Sequence, residues 1–177
     1  MKNKLFILKY SECSYNLEGV TNLSTQSKLN RDEQMYEKVA IGCIPKQVPL
    51  KDALVTYMRT ELSLEVGDFG DGSYADVARK VSEAVAKGEY SRGIVICRTG
   101  AGTAMAANKV PGAYAVHCRD AEEARNSRGI NNANILALNA MEPDVAKEIV
   151  RVWLETPFPF EERYVPEFEK IRGMENF

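Results

Sequence analysis

Cys97 stands where a thiol can do chemistry. It closes the apolar run Gly93-Ile94-Val95-Ile96 and opens a glycine-rich turn, Arg98-Thr99-Gly100-Ala101-Gly102-Thr103-Ala104, which leads into a small-residue helix. The first N–H groups of a helix lack internal acceptors and carry partial positive charge, so a sulfur set before them is biased towards thiolate. A thiolate is both nucleophile and base, and the same amides stabilise an oxyanion formed beside it. The turn points to an enzyme.

Other uses of a strand, glycine turn and helix fit less well. A dinucleotide fingerprint needs Gly or Ala at position 105, where Met105 stands, and belongs on the first strand of a sheet, whereas this turn follows the third. A phosphatase-type loop needs arginine at position 103, which Thr103 excludes. A cysteine–histidine hydrolase has His117, the chain's one histidine, but no evident acidic residue to orient it. A nucleotide-binding oxidoreductase stays open as an alternative and calls for an acidic residue ending the second strand near the glycine turn. The bland reading of a free cysteine is a small buried hydrophobe; it is taken for Cys13, Cys43 and Cys118, whereas the glycines after Cys97 expose it at a helix start. His117 closes an apolar strand and reads as a satisfied structural histidine or as a ligand contact. Arg119, Arg125 and Arg128, at helical spacing, read as a solvated face.

The elements that must position Cys97 alternate along the chain. Strand-like stretches at 38–43, 63–67, 93–97, 113–118 and 134–138 are separated by helical patterns at 49–62, 74–90, 103–109 and 120–128. A further helix at 143–154, with Val145, Ile149, Val150 and Trp153 inward, is stopped by Pro157 and Pro159. Residues 67–72, between the second strand candidate and the helix at 74–90, are rich in Gly and Asp. The short, polar helix predicted over 166–173 is too weak to stand alone and must dock on the body or on a second subunit. The predicted fold is α/β: a three-layer α/β/α, Rossmann-like, five-stranded doubly wound parallel sheet, whose ligands bind beyond the carboxyl ends of the strands. Residues 1–36 form an extension; the domain runs over 37–177.

At 177 residues, 45% hydrophobic and 27% charged, the chain has enough apolar material for one core. Its 23 basic and 25 acidic residues leave a net charge of −2, so no global field attracts nucleic acid or an anionic membrane. The four cysteines form no Cys-x-x-Cys pair, which argues against structural zinc, and no metal is expected. The first ten residues hold only four consecutive apolar positions, too few for a signal-peptide core, so a reduced cytoplasm is expected.

Residues 93–109, from Gly93 through Cys97 to Lys109, resemble the signature of the type B ribose-5-phosphate and galactose-6-phosphate isomerase family. Residues 127–137, around Asn131-Asn132-Ala133-Asn134, match that family's second motif, and the likeness extends over about 38–172. The resemblance implies an aldose–ketose isomerase acting on a small sugar or sugar phosphate through an enediolate, with Cys97 as the base and no cofactor. It implies that Asn131 hydrogen-bonds the reacting oxygens, that Thr99 lines the pocket and that Tyr74 forms a pocket wall. Backbone N–H groups of Gly100, Ala101, Gly102, Thr103 and Ala104 would hold the developing charge. Sites would lie between subunits of a homodimer or tetramer.

The departures from that pattern are specific. Ile44-Pro45 replace an Asp-His pair after the first strand, and Ile130 stands in place of the ring-opening histidine. Met141 replaces an arginine; of two C-terminal phosphate-binding arginines, Arg163 remains and Glu167 takes the place of the other. The expected consequences are a substrate that is already largely open-chain, such as a tetrose derivative, or one whose ring is opened elsewhere, and either no phosphate or replacement cations drawn from Arg98, Lys46 and His117. A non-catalytic or half-site subunit of a heteromeric isomerase is the alternative that the reduced phosphate clamp leaves open.

Overall fold

The computed structural model describes residues 38–159 and 163–176, so the expected extension over 1–36, with Cys13, lies outside the described residues. Five strands, β1 (Lys38–Cys43), β2 (Glu65–Asp71), β3 (Arg92–Ile96), β4 (Ala115–His117) and β5 (Ile135–Leu138), form one all-parallel sheet in the order β2-β1-β3-β5-β4. The connecting helices are α1 (Val48–Thr60), α2 (Tyr74–Ala86), α3 (Ala101–Ala107), α4 (Ala121–Gly129) and α5 (Pro143–Glu155), followed by α6 (Val165–Gly173).

Strand side chains alternate between two cores. Val39, Ile41, Ile94, Ile96, Leu136 and Leu138 pack with Leu54 and Met58 of α1 and with Ile149 and Trp153 of α5. Ala40, Val95, Ile135 and Ala137 pack on the other side with Val77, Val81 and Val85 of α2 and Ala107 of α3. Helices cover both faces, which is why the central strands read as unbroken apolar runs.

Two expectations about the elements are corrected. The second strand, expected over 63–67, runs over Glu65–Asp71 and so takes in most of the Gly- and Asp-rich stretch. Among the described residues β2 is an edge strand, paired with β1, and a half-exposed edge accepts Gly and Asp that a central strand would not. Val145 points outward, half exposed, while Ala146 takes the inward position on α5.

The C-terminal helix docks on the body. Phe168 of α6 meets Tyr114 edge-on at 4.9 Å between ring centroids and lies 5.9 Å from Phe158, and the Gly112 N–H donates to the Glu175 carboxylate at 2.8 Å. Among the described residues, no helix is long and apolar enough to cross a membrane.

Candidate active site

Chain order along the sheet reverses between β1 and β3, where the chain first winds one way to β2 and then the other way to β3. A crevice opens at the carboxyl ends of the strands at such a reversal. Ile44 and Cys97 flank it, joined by the Ile44 N–H donating to the Ile96 carbonyl at 3.0 Å. The Asp71 carboxylate that ends β2 lies beyond β1, two strands from the glycine turn, so the acidic partner required by a nucleotide reading is not beside that turn.

The loop after β3 wraps its own sulfur. The Gly100 N–H donates to Cys97 Sγ at 3.1 Å and the Thr103 hydroxyl lies 3.5 Å from it. Cys97 is only 5% exposed, set beneath the loop rather than open on the rim as the glycines had implied. Burial pushes its pKa up, but hydrogen bonds from the Thr103 hydroxyl and from the N–H groups of Thr103, Thr99 and Gly100 outweigh burial and hold the thiol below its ordinary value. Cys43 and Cys118, also buried, lack such a ring of donors; burial pushes each up to about 11. The same side chain is a potential base in one loop and an inert thiol in the other two places.

Gly100 makes this geometry possible. Its φ is +74°, and a Cβ there would stand 2.1 Å from the His117 ring, so no other residue fits. The first α3 hydrogen bond runs from the Ala104 N–H to the Gly100 carbonyl, leaving the Ala101 and Gly102 N–H groups without acceptors inside the helix. Gly102 lies under the Tyr74 ring, which a Cβ would meet at 3.1 Å; Tyr74, at the start of α2, is 53% exposed.

His117, half-buried at the end of β4, sits 3.1 Å from Asn139 Oδ1 through Nε2. The Asn139 amide nitrogen donates to the Ala140 carbonyl, so its oxygen accepts, His117 donates from Nε2, and Nδ1 is left as the ring's second nitrogen. Asn139 also bridges to Thr99. Arg98 and Thr99 are exposed on the loop. Cys97, Thr99, Gly100–Ala104, Tyr74, Arg98 and His117 are therefore gathered at one end of the sheet.

Asn131 and Arg163 are at the other end. Asn131 is exposed in the turn before β5, whereas the Cys97 N–H bonds the Leu138 carbonyl that closes β5. Four strand residues at ~3.3 Å each put roughly 13 Å between the two positions. Arg163 precedes α6, which docks on Tyr114 beside the start of β4. Arg128 is no solvated side chain: it is 3% exposed and donates to Asn132 Oδ1 at 3.0 Å and the Ala133 carbonyl at 2.6 Å, fixing the turn that carries Asn131.

Two groups that shape this end of the sheet carry little signal in the sequence. Asn139 gave no pattern signal beyond its place at the end of the fifth strand. Thr103 had been credited with its N–H alone; a hydroxyl in an otherwise Ala- and Gly-rich turn was the available clue. Among the described residues, no three His, Cys, Asp or Glu side chains converge to hold a metal ion.

A family model described as Ribose/Galactose Isomerase matches residues 39–171. The DNA damage-repair/toleration protein DRT102 of Arabidopsis thaliana is 42% identical over 125 residues, 68% of this chain and 40% of that protein. The D-erythrulose-4-phosphate isomerase of Pectobacterium atrosepticum is 36% identical over 128 residues, 68% of this chain and 84% of that protein. The solved structure of Clostridium thermocellum ribose-5-phosphate isomerase B shares 41% identity and superposes with a TM-score of 0.74 over 78% of this chain and 97% of its own. With the parallel sheet and glycine-wrapped cysteine already in place, the match over 39–171 leaves one conclusion: the chain belongs to the ribose/galactose isomerase family and is an isomerase.

Proposed function

We propose that this chain interconverts the aldose and ketose forms of a short, open-chain sugar bearing an anionic group at its far end, with the Cys97 thiolate as the base. The observation that carries this reading is the donor ring on Cys97 Sγ, which favours a thiolate in a protein whose other described cysteines are held as thiols. The thiolate takes a proton from the carbon beside the carbonyl and the C–H electron pair moves into an enediolate; the hydroxyl proton passes from one enediolate oxygen to the other, and the proton on sulfur goes to the neighbouring carbon, leaving the new carbonyl and the thiolate. The free N–H groups of Ala101 and Gly102, with Thr99 beside them, face the charge that develops on oxygen.

A tetrose or tetrulose 4-phosphate fits the departures in the sequence. Its O4 is esterified, so no five-membered ring can close, and Ile130 in place of a ring-opening imidazole costs such a substrate nothing. The likeness to a D-erythrulose-4-phosphate isomerase supports the same class. Arg98, exposed on the loop that follows Cys97, is the cation assigned to the anionic end.

Asn131 and Arg163 enter the reaction from a second copy of the chain, because the sheet separates them from their own Cys97. A complete site then forms where the carboxyl end of one sheet meets the amino end of another. The donor ring on Cys97 weighs against a purely non-catalytic subunit.

Turnover measured on four-, five- and six-carbon sugars, each with and without a terminal phosphate, tests the assignment. The expected result is preference for the phosphorylated tetrulose, with Arg98→Ala raising KM about tenfold for phosphorylated substrates alone. Preference for ribose 5-phosphate, or an equal effect of Arg98→Ala on neutral sugars, overturns it.

A further inference from the structure

Thr103 is completely buried, and its one hydroxyl proton faces two acceptors. Oγ1 lies 2.9 Å from the Gly100 carbonyl oxygen and 3.5 Å from Cys97 Sγ. A hydroxyl can donate to only one of them at a time, and turning about its C–O bond moves no heavy atom. The neighbouring Gly100 N–H is fixed on the sulfur by the backbone, so the hydroxyl is the one side-chain donor there able to change partner.

We propose that the Thr103 hydroxyl is a rotor that follows the charge on Cys97: it donates to the sulfur while that is a thiolate and turns to the Gly100 carbonyl once the sulfur holds a proton. This rests on the reading of Cys97 as the base. When the substrate C–H bond breaks, its electron pair goes to the enediolate, its proton forms the S–H bond, and the hydroxyl, no longer attracted by a negative sulfur, turns to the carbonyl. Return of the proton to the next carbon restores the thiolate and draws the hydroxyl back. Thr103 is thus a positioning residue. It stabilises the base before proton abstraction and releases it afterwards, without any side chain leaving its rotamer.

The titratable groups around the loop are Arg98 within it, Cys43 at the end of β1, Tyr74 at the start of α2 and His117 at the end of β4. The sulfur's hydrogen-bond partners are instead donors of the loop and the first turn of α3, Thr99, Gly100 and Thr103. Removing the hydroxyl therefore removes the one side-chain donor that lowers the thiol.

The test titrates Cys97 by thiolate ultraviolet absorbance, taken as the difference between each protein and the same protein carrying Cys97→Ala, alongside the pH profile of kcat. In Thr103→Val the midpoint is expected to rise by about one pH unit and kcat at neutral pH to fall roughly tenfold, while Thr103→Ser keeps the wild-type midpoint. Should Thr103→Val fail to fold, judged by circular dichroism, Thr103→Ser against Thr103→Ala gives the same contrast in smaller side chains. An unmoved midpoint in the variants without a hydroxyl, or a serine variant as shifted as they are, overturns the rotor and leaves the base assignment standing. A Cys97→Ala protein that still isomerises overturns the base assignment instead.

Discussion

At the carboxyl ends of the strands, residues 97–103 are shaped by backbone geometry, with Gly100 at φ +74° against the His117 ring and N–H groups turned onto one sulfur. At the amino ends, the turn before β5 is shaped by a side chain, the buried Arg128 guanidinium that ties Asn132 and Ala133. The first arrangement rests on loop N–H groups and the Thr103 hydroxyl and is intolerant of any Cβ at Gly100. The second adds to its backbone bonds, Asn132 N–H to the Arg128 carbonyl and Ala133 N–H to the Ser127 carbonyl, the grip of one buried cation. The proposed reaction needs both ends, from two chains.

The largest expected effect comes from separating the two ends genetically. Cys97→Ala and Asn131→Ala proteins are each expected to be inactive. Mixed under conditions that exchange subunits, they should recover about a quarter of wild-type activity, because half the dimers pair unlike chains and each of those has one intact site. Absence of recovery, with mixed dimers demonstrated by mass spectrometry, would show that Asn131 does not act across an interface.

A smaller effect sharpens the contrast in how the ends are held. Gly100→Ala forces a Cβ into the His117 ring at a left-handed φ and is expected to cost about 2 to 3 kcal/mol in chemical denaturation while raising the Cys97 titration midpoint. Arg128→Met, at the far end, leaves buried acceptors unpaired and is expected to cost about 1 to 2 kcal/mol with the Cys97 midpoint unmoved. A shifted midpoint in Arg128→Met would mean that the two ends are coupled through the sheet.

The architecture was legible because the central strands are buried on both faces and so read as pure β-branched and aliphatic runs, as at Ile94-Val95-Ile96. The edge strand was misplaced because Gly67, Asp68, Gly70 and Asp71 carry turn chemistry, and only the pairing with β1 reveals them as strand. Arg128 misled for a related reason: spacing reports which helix face a residue occupies, but not that carbonyls wait there to accept its hydrogen bonds. At the site, the turn's glycines announced Cys97. The Thr103 hydroxyl and Asn139 depend on contacts made by folding. Nothing local in the sequence could reveal that Asn131 and Cys97 sit at opposite ends of the sheet, since that follows from the parallel register of β3 and β5.

The most direct test of Cys97 as the base is solvent deuterium incorporation into a tetrulose 4-phosphate, followed by proton NMR in heavy water for the wild-type chain and for Cys97→Ala, with circular dichroism confirming that both are folded. The account predicts exchange at the carbon beside the carbonyl with the wild-type chain and a loss of roughly a hundredfold or more with Cys97→Ala. Undiminished exchange by a folded Cys97→Ala chain would contradict it.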